Sequence, residues 1–205
     1  MATNEPTLNV LISSKQKEFV RERADIRSLM APMPLLVADA AEDWDPQSAA
    51  IRETYLRQAK SCALYVGLFG CVFSAPTIEE YRAAAGNPLR QVLVYVKECA
   101  GGRDAALTDF LHELSDPESG RTLVTYTVWD EVRPQFMRHL WAAIQRMIEH
   151  CIELGNKPVT LSSGAGALER RRHRYEAALA EMGFPVEGDR ALELAAELRR
   201  FTPPD

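Results

Sequence analysis

Two short stretches of the chain carry side chains that can do chemistry together. One is Ser13-Ser14-Lys15, two hydroxyls and an ammonium that follow the apolar run LNVLI. The other is SAPTIEEYRAAAG at residues 74–86, in which the adjacent carboxylates Glu79 and Glu80 follow Ser74 and Thr77. Hydroxyls at the start of a helix can donate to a phosphate or a ribose, helped by the free N–H groups of the first helical turn. An ionised glutamate can stabilise or trap the oxocarbenium-like state of a breaking glycosidic bond. Each stretch also has a purely structural reading. Ser14 suits a helix N-cap, and Thr77 followed three residues later by Glu80 is the pattern of a capping box. A helix beginning at Thr77 puts Glu80 in its first turn, where the helix dipole and backbone N–H groups hold a carboxylate ionised. That position suits a nucleophile or an electrostatic stabiliser and suits a general acid poorly.

Such residues act only if other elements bring them together. Short apolar runs alternate with helical patterns up to about residue 154, which predicts an α/β fold with a parallel sheet and helices on its faces. Five strands are expected, at Leu8 to Ile12, Pro34 to Ala38, Ala63 to Phe69, Gln91 to Val96 and Thr122 to Val128. Their Val, Leu and Tyr content without strict alternation is that of strands buried on both sides. Helices are expected at Gln16 to Met30, Pro46 to Lys60, Thr77 to Ala85, Arg103 to Ser115 and Val132 to Leu154. In the last, Phe136, Leu140, Ile144, Met147 and Ile148 recur at helical spacing and read as core, with Trp141 packing beside them.

In an open parallel sheet, ligands bind beyond the carboxyl ends of the strands where the strand order reverses. A flavodoxin-like order of 2-1-3-4-5 makes that crevice from the loops after strands 1 and 3. Ser13-Ser14-Lys15 then faces Gly70 to Ser74, the loop that leads into Thr77 and Glu80. Gly67 and Gly70 would let the backbone come close to a ligand, or Gly70 would simply make the turn.

The α/β domain is expected to span residues 1–155, with Gly155 ending the last helix as a C-cap residue. Residues 156–167 read as a linker, and 168–205 as a small extension of two short helices split by GFPVEGD. Leu168, Tyr175, Leu179 and Met182 give that extension an apolar side suited to packing back on the sheet or to self-association.

A net charge of −5 and a pI near 5.5 disfavour nucleic acid, whose phosphates need a basic surface. The ERRRHR run at 169–174 reads as a solvated face or a patch for an acidic partner. Small molecules and proteins are the expected partners. The first ten residues do not resemble a secretory leader, and the longest apolar run is too short to cross a bilayer, so a cytoplasmic protein without membrane contact is expected. Cys62, Cys71, Cys99 and Cys151 form no C-x-x-C pair and read as reduced, mostly buried thiols. His112, His139, His150 and His173 form no cluster with metal-ligand spacing, so neither a metal nor a resident cofactor is expected. There is no P-loop, no G-x-S-x-G elbow, and Gly164-Ala-Gly166 follows no strand.

Four segments taken in order, NVLISSKQKEFVRERADIR, CALYVGLFGCVFS, TIEEYRAA and QVLVYVKE, resemble the domain-of-unknown-function family 4062 over roughly residues 8–98. That family looks related to TIR domains and nucleoside deoxyribosyltransferases. The resemblance implies a TIR-like fold and a role directed at NAD or another nucleotide, as substrate or ligand, in signalling or bacterial defence. In those relatives a glutamate on the helix after the third strand serves N-glycosidic cleavage. Carried over by motif position it is Glu80, with Tyr81 beside it. Ser13 and Ser14 match the family's Ser-Ser pair, and Glu22 and Arg23 its Glu-Arg pair. Asp39 approximates a carboxylate found after strand 2. The chain departs from the family at Lys15, at Ala63 and at Cys71 to Ser74. The alternative is a module that binds a nucleotide or a protein without catalysis, with Thr77 and Glu80 only capping a helix.

Overall fold

The computed structural model describes residues 8–33, 36–40, 50–87, 90–116, 118 and 120–156. The linker and helical extension expected after residue 156 lie outside them, as do Pro34 and the expected start of the second helix. The strands are β1 (Leu8–Ser14), β2 (Leu36–Asp39), β3 (Leu64–Phe69), β4 (Gln91–Lys97) and β5 (Val124–Tyr126). The helices are α1 (Val20–Met30), α2 (Ile51–Ser61), α3 (Ala75–Ala85), α4 (Ala105–Leu114) and α5 (Trp129–Asn156). A single 3-10 turn, Gln16–Glu18, separates β1 from α1.

All five strands pair in parallel in the order β2-β1-β3-β4-β5, the flavodoxin-like order. β3 sits in the middle and is buried along its whole length, which is why LYVGLF shows no alternation. Helices cover both faces. α1 and α5 bury Phe19, Ile26, Met30, Phe136, Leu140, Ile144, Met147 and Ile148 against one face. α2, α3 and α4 bury Ala59, Ile78, Tyr81, Leu107, Phe110 and Leu111 against the other. The apolar stripe expected on the last helix is core, and Trp141 packs against it.

Several helix boundaries differ from expectation: α1 starts at Val20 rather than Gln16, after the 3-10 turn, and α4 runs from Ala105 to Leu114 rather than from Arg103 to Ser115. α3 begins at Ala75, two residues before Thr77, because Pro76 sits in the first turn, where its missing N–H costs nothing and its fixed φ favours the helix. α5 begins at Trp129 and accommodates Pro134. It also runs through Gly155 to Asn156, so Gly155 does not terminate it.

The buried Arg90 ties the lower ends of three elements together. Its guanidinium donates to the carbonyls of Cys62 (2.7 Å), Ala84 (3.1 Å) and Lys60, and so supplies donors to the C-terminal ends of α2 and α3.

Candidate active site at the head of β1 and β3

Side chains of successive strand residues point to opposite faces, and this separates the two serines. Val10 and Ile12 belong to the α1/α5 core and Leu11 to the α2/α3/α4 core. Ser13 therefore points towards α3 and Ser14 towards α1. Ser13 is buried and its hydroxyl donates to the Glu80 carboxylate, joining residues 67 apart in the chain. Ser14 Oγ instead accepts from Arg23 Nη1 at 3.0 Å, and the same nitrogen donates to Ile12 O at 2.8 Å. Arg23 is thus a brace for the end of β1. Its neighbour Glu22, also buried, pairs with Lys97 Nζ at the end of β4 (2.8 Å). The Glu-Arg pair holds the two strand ends from one turn of α1.

Ser14 caps no helix. The residues at the N-cap positions of the 3-10 turn and of α1 are Lys15 and Phe19, and neither caps through its side chain. The free N–H groups of α1 consequently start several residues beyond the serine pair. The capping box is absent as well. With α3 starting at Ala75, the N-cap is Ser74, and Thr77 Oγ1 donates to Ser74 Oγ at 2.9 Å instead of bonding Glu80's backbone.

The same two-residue offset removes Glu80 from the first turn of α3 and overturns the expectation that the helix keeps it ionised. Glu80 is buried, and burial lifts its carboxyl from the ordinary 4.5 to about 7. The Ser13 hydrogen bond and the Arg23 charge pull it down, while the Asp39 carboxylate at the end of β2 pushes it up. Near neutral pH Glu80 is therefore poised to give or take a proton, and a role as general acid becomes available to it. Tyr65 completes the buried group. Its hydroxyl donates to Thr77 O at 3.3 Å, and burial, then the Glu80 charge, hold its proton affinity well above normal.

Glu79 faces the other way. It is in an exposed ion pair with Arg52 (3.0 Å) and accepts from the Tyr55 hydroxyl, and those hydrogen bonds lower its pKa. Of the two carboxylates, only Glu80 joins Ser13.

Gly67, Gly70 and Tyr81 have packing roles in this structure. A Cβ on Gly67 would lie 2.8 Å from Tyr65 Cε1 and 2.9 Å from Phe69 Cε2, so glycine there makes room for two rings on the same face. Gly70 makes room for the Glu18 carboxylate, which a Cβ would strike. Tyr81 sits in an aromatic cluster, with ring centroids 6.0 Å from Tyr65, 6.4 Å from Phe69 and 5.5 Å from Phe110. Ser74 and Thr77 border a crevice with Lys15, Glu18 and Gly70 whose volume is about 10 Å³, room for about one water.

No protein-family model, no curated protein and no solved structure matches the chain. The chemistry of the site rests on its own geometry.

Two features escaped the reading of the sequence. Glu18 accepts from the Cys71 backbone N–H across the crevice. Cys71 and Cys99, expected as reduced thiols, form a disulfide between the loops after β3 and β4. The signal was in the strand pairing. β3 and β4 are adjacent and parallel with Phe69 opposite Val96, so residues just past each end must meet. Cys62 conforms to expectation as a buried thiol, pushed up to about 12 by burial. The side chain of Cys151 is outside those described. Among the described residues no helix is long and apolar enough to cross a membrane.

Proposed function

We propose that this domain acts on a nucleotide or nucleoside, NAD among them, and cleaves its N-glycosidic bond with Glu80 as the working carboxyl group. The observation that carries the reading is the buried Ser13–Glu80 pair at the point where the strand order reverses. A carboxyl with a pKa of about 7 has a task in either protonation state. As carboxylate it stabilises the positive charge that passes to the ribose as the pyridinium-bound nicotinamide of NAD departs as a neutral base. As carboxylic acid it protonates the nitrogen of a departing neutral base, and the carboxylate then accepts the proton of the attacking water. The two substrate types should therefore show opposite pH trends through neutrality. The resemblance of residues 8–98 to domain-of-unknown-function family 4062, which looks related to TIR domains, points to the same chemistry and to a signalling or defence setting in the cytoplasm.

One observation favours a second reading. Glu80 is only 8% exposed and the neighbouring crevice is about 10 Å³, too small for a base or a ribose. A non-enzymatic module that binds a nucleotide or a protein needs no access to Glu80. Incubation of the full chain with NAD and a nucleoside panel, with released base measured by chromatography, separates the two. Free base supports the enzyme, and saturable binding without release supports the module.

A further inference from the structure

Beside the Glu80 site, the loops after β3 and β4 bring together a second group of chemical interest. Cys71 Sγ, Cys99 Sγ and a carboxylate oxygen of Glu18 all lie within 4.8 Å of one another, the one such group among the described residues. Glu18 is oriented rather than incidental. One of its oxygens accepts from the Cys71 N–H, and the missing Cβ of Gly70 makes room for the carboxylate. Its other oxygen, Oε2, is buried and finds no donor among the described residues. A buried carboxylate oxygen without a partner is costly in a folded protein, and a bound cation would satisfy it.

Arg103 braces the two cysteine loops. Its guanidinium donates to Gly70 O at 2.8 Å and Lys97 O at 2.7 Å, and the Asp104 N–H donates to Cys71 O at 2.9 Å. Gly102, at φ +90°, makes the turn that returns the chain to that position.

We propose that Cys71, Cys99 and Glu18 form a zinc-class metal site when the disulfide is reduced, so that metal binding is gated by redox state. A dithiol reductant transfers two electrons and two protons to the Cys71–Cys99 bond, leaving two thiols and an oxidised, disulfide form of the reductant. Zn²⁺ then displaces the two thiol protons and is held by two sulfurs and Glu18 Oε2. Zn–S bonds of about 2.3 Å in a tetrahedral arrangement set the sulfurs about 3.8 Å apart, so the two sulfurs, bonded to each other in the disulfide, move apart on reduction to take up the metal beside Glu18. Three protein ligands leave the fourth position to water or to a further ligand.

The test uses the full chain, reduced or oxidised, titrated with Zn²⁺ against a chromogenic chelator. The reduced chain should bind one equivalent more than the oxidised chain. Cys71→Ser and Cys99→Ser should each lose that equivalent, and Glu18→Gln should weaken it roughly tenfold or more. Co²⁺ in place of Zn²⁺ should show thiolate-to-metal charge-transfer absorption only in the reduced chain. Equal zinc uptake by the reduced and oxidised wild-type chain overturns the proposal without recourse to any variant. So does undiminished affinity in Glu18→Gln, which leaves an adventitious dithiol ligand only.

Discussion

Replacing Glu80 by glutamine should remove a pH dependence that the buried carboxyl builds into the stability of the fold. The folded pKa of about 7 lies above the ordinary 4.5. Below pH 4.5 the group is protonated in both states and contributes no difference. Between 4.5 and about 7 the folded chain keeps a proton that the unfolded chain has lost, so stability falls as the pH rises. At ~1.4 kcal/mol per pH unit, the interval from 4.5 to about 7 amounts to about 3 kcal/mol, an order-of-magnitude figure. The glutamine variant stays neutral and keeps an acceptor for the Ser13 hydroxyl. Urea unfolding of both proteins from about pH 4.5 to about pH 8 isolates the effect, because every other titrating group cancels in the difference. Wild type should lose about 3 kcal/mol relative to Glu80→Gln across that range. Parallel stability curves would refute the buried, proton-poised state of Glu80.

Ser13→Ala removes the hydrogen bond that favours ionised Glu80, so the midpoint of the same difference curve should move to higher pH. Arg90→Ala removes the guanidinium donors from the carbonyls of Cys62, Ala84 and Lys60 and should cost about 3 kcal/mol in a denaturant titration. Gly70→Ala pushes a methyl group into the Glu18 carboxylate; calorimetry should show about 1–3 kcal/mol of destabilisation. Glu79→Gln breaks only an exposed ion pair, and should leave both the melting temperature and the pH dependence of stability close to wild type.

The strands and the long apolar stripe of α5 were legible because burial on two faces leaves a continuous apolar signature that local chemistry cannot hide. The flavodoxin-like order taken for the sheet is the one observed, and it brings Ser13 at the end of β1 to Glu80 on α3. What failed was fine register. A T-x-x-E pattern marks a helix start only if the helix starts there, and Pro76 moved the start two residues upstream. That small slip changed Glu80 from a carboxylate held ionised by a helix end into a buried acid with a pKa of about 7. The fates of Ser13 and Ser14 differ because adjacent strand residues face opposite layers, a rule that needs the strand to extend through both, as β1 does. The Cys71–Cys99 bond and the Glu18 carboxylate beside it depend on contacts between loops 28 and 53 residues apart. Such contacts leave no local pattern.

The most direct test of the account is base release from NAD and a nucleoside panel by the wild-type chain and by Glu80→Gln, side by side at neutral pH. Wild type should release free nicotinamide or nucleobase, and Glu80→Gln, folded and at least as stable, should release none. Cleavage by Glu80→Gln at the wild-type rate would contradict the assignment of Glu80, and no release by wild type from any member of the panel would contradict the glycosidic activity itself.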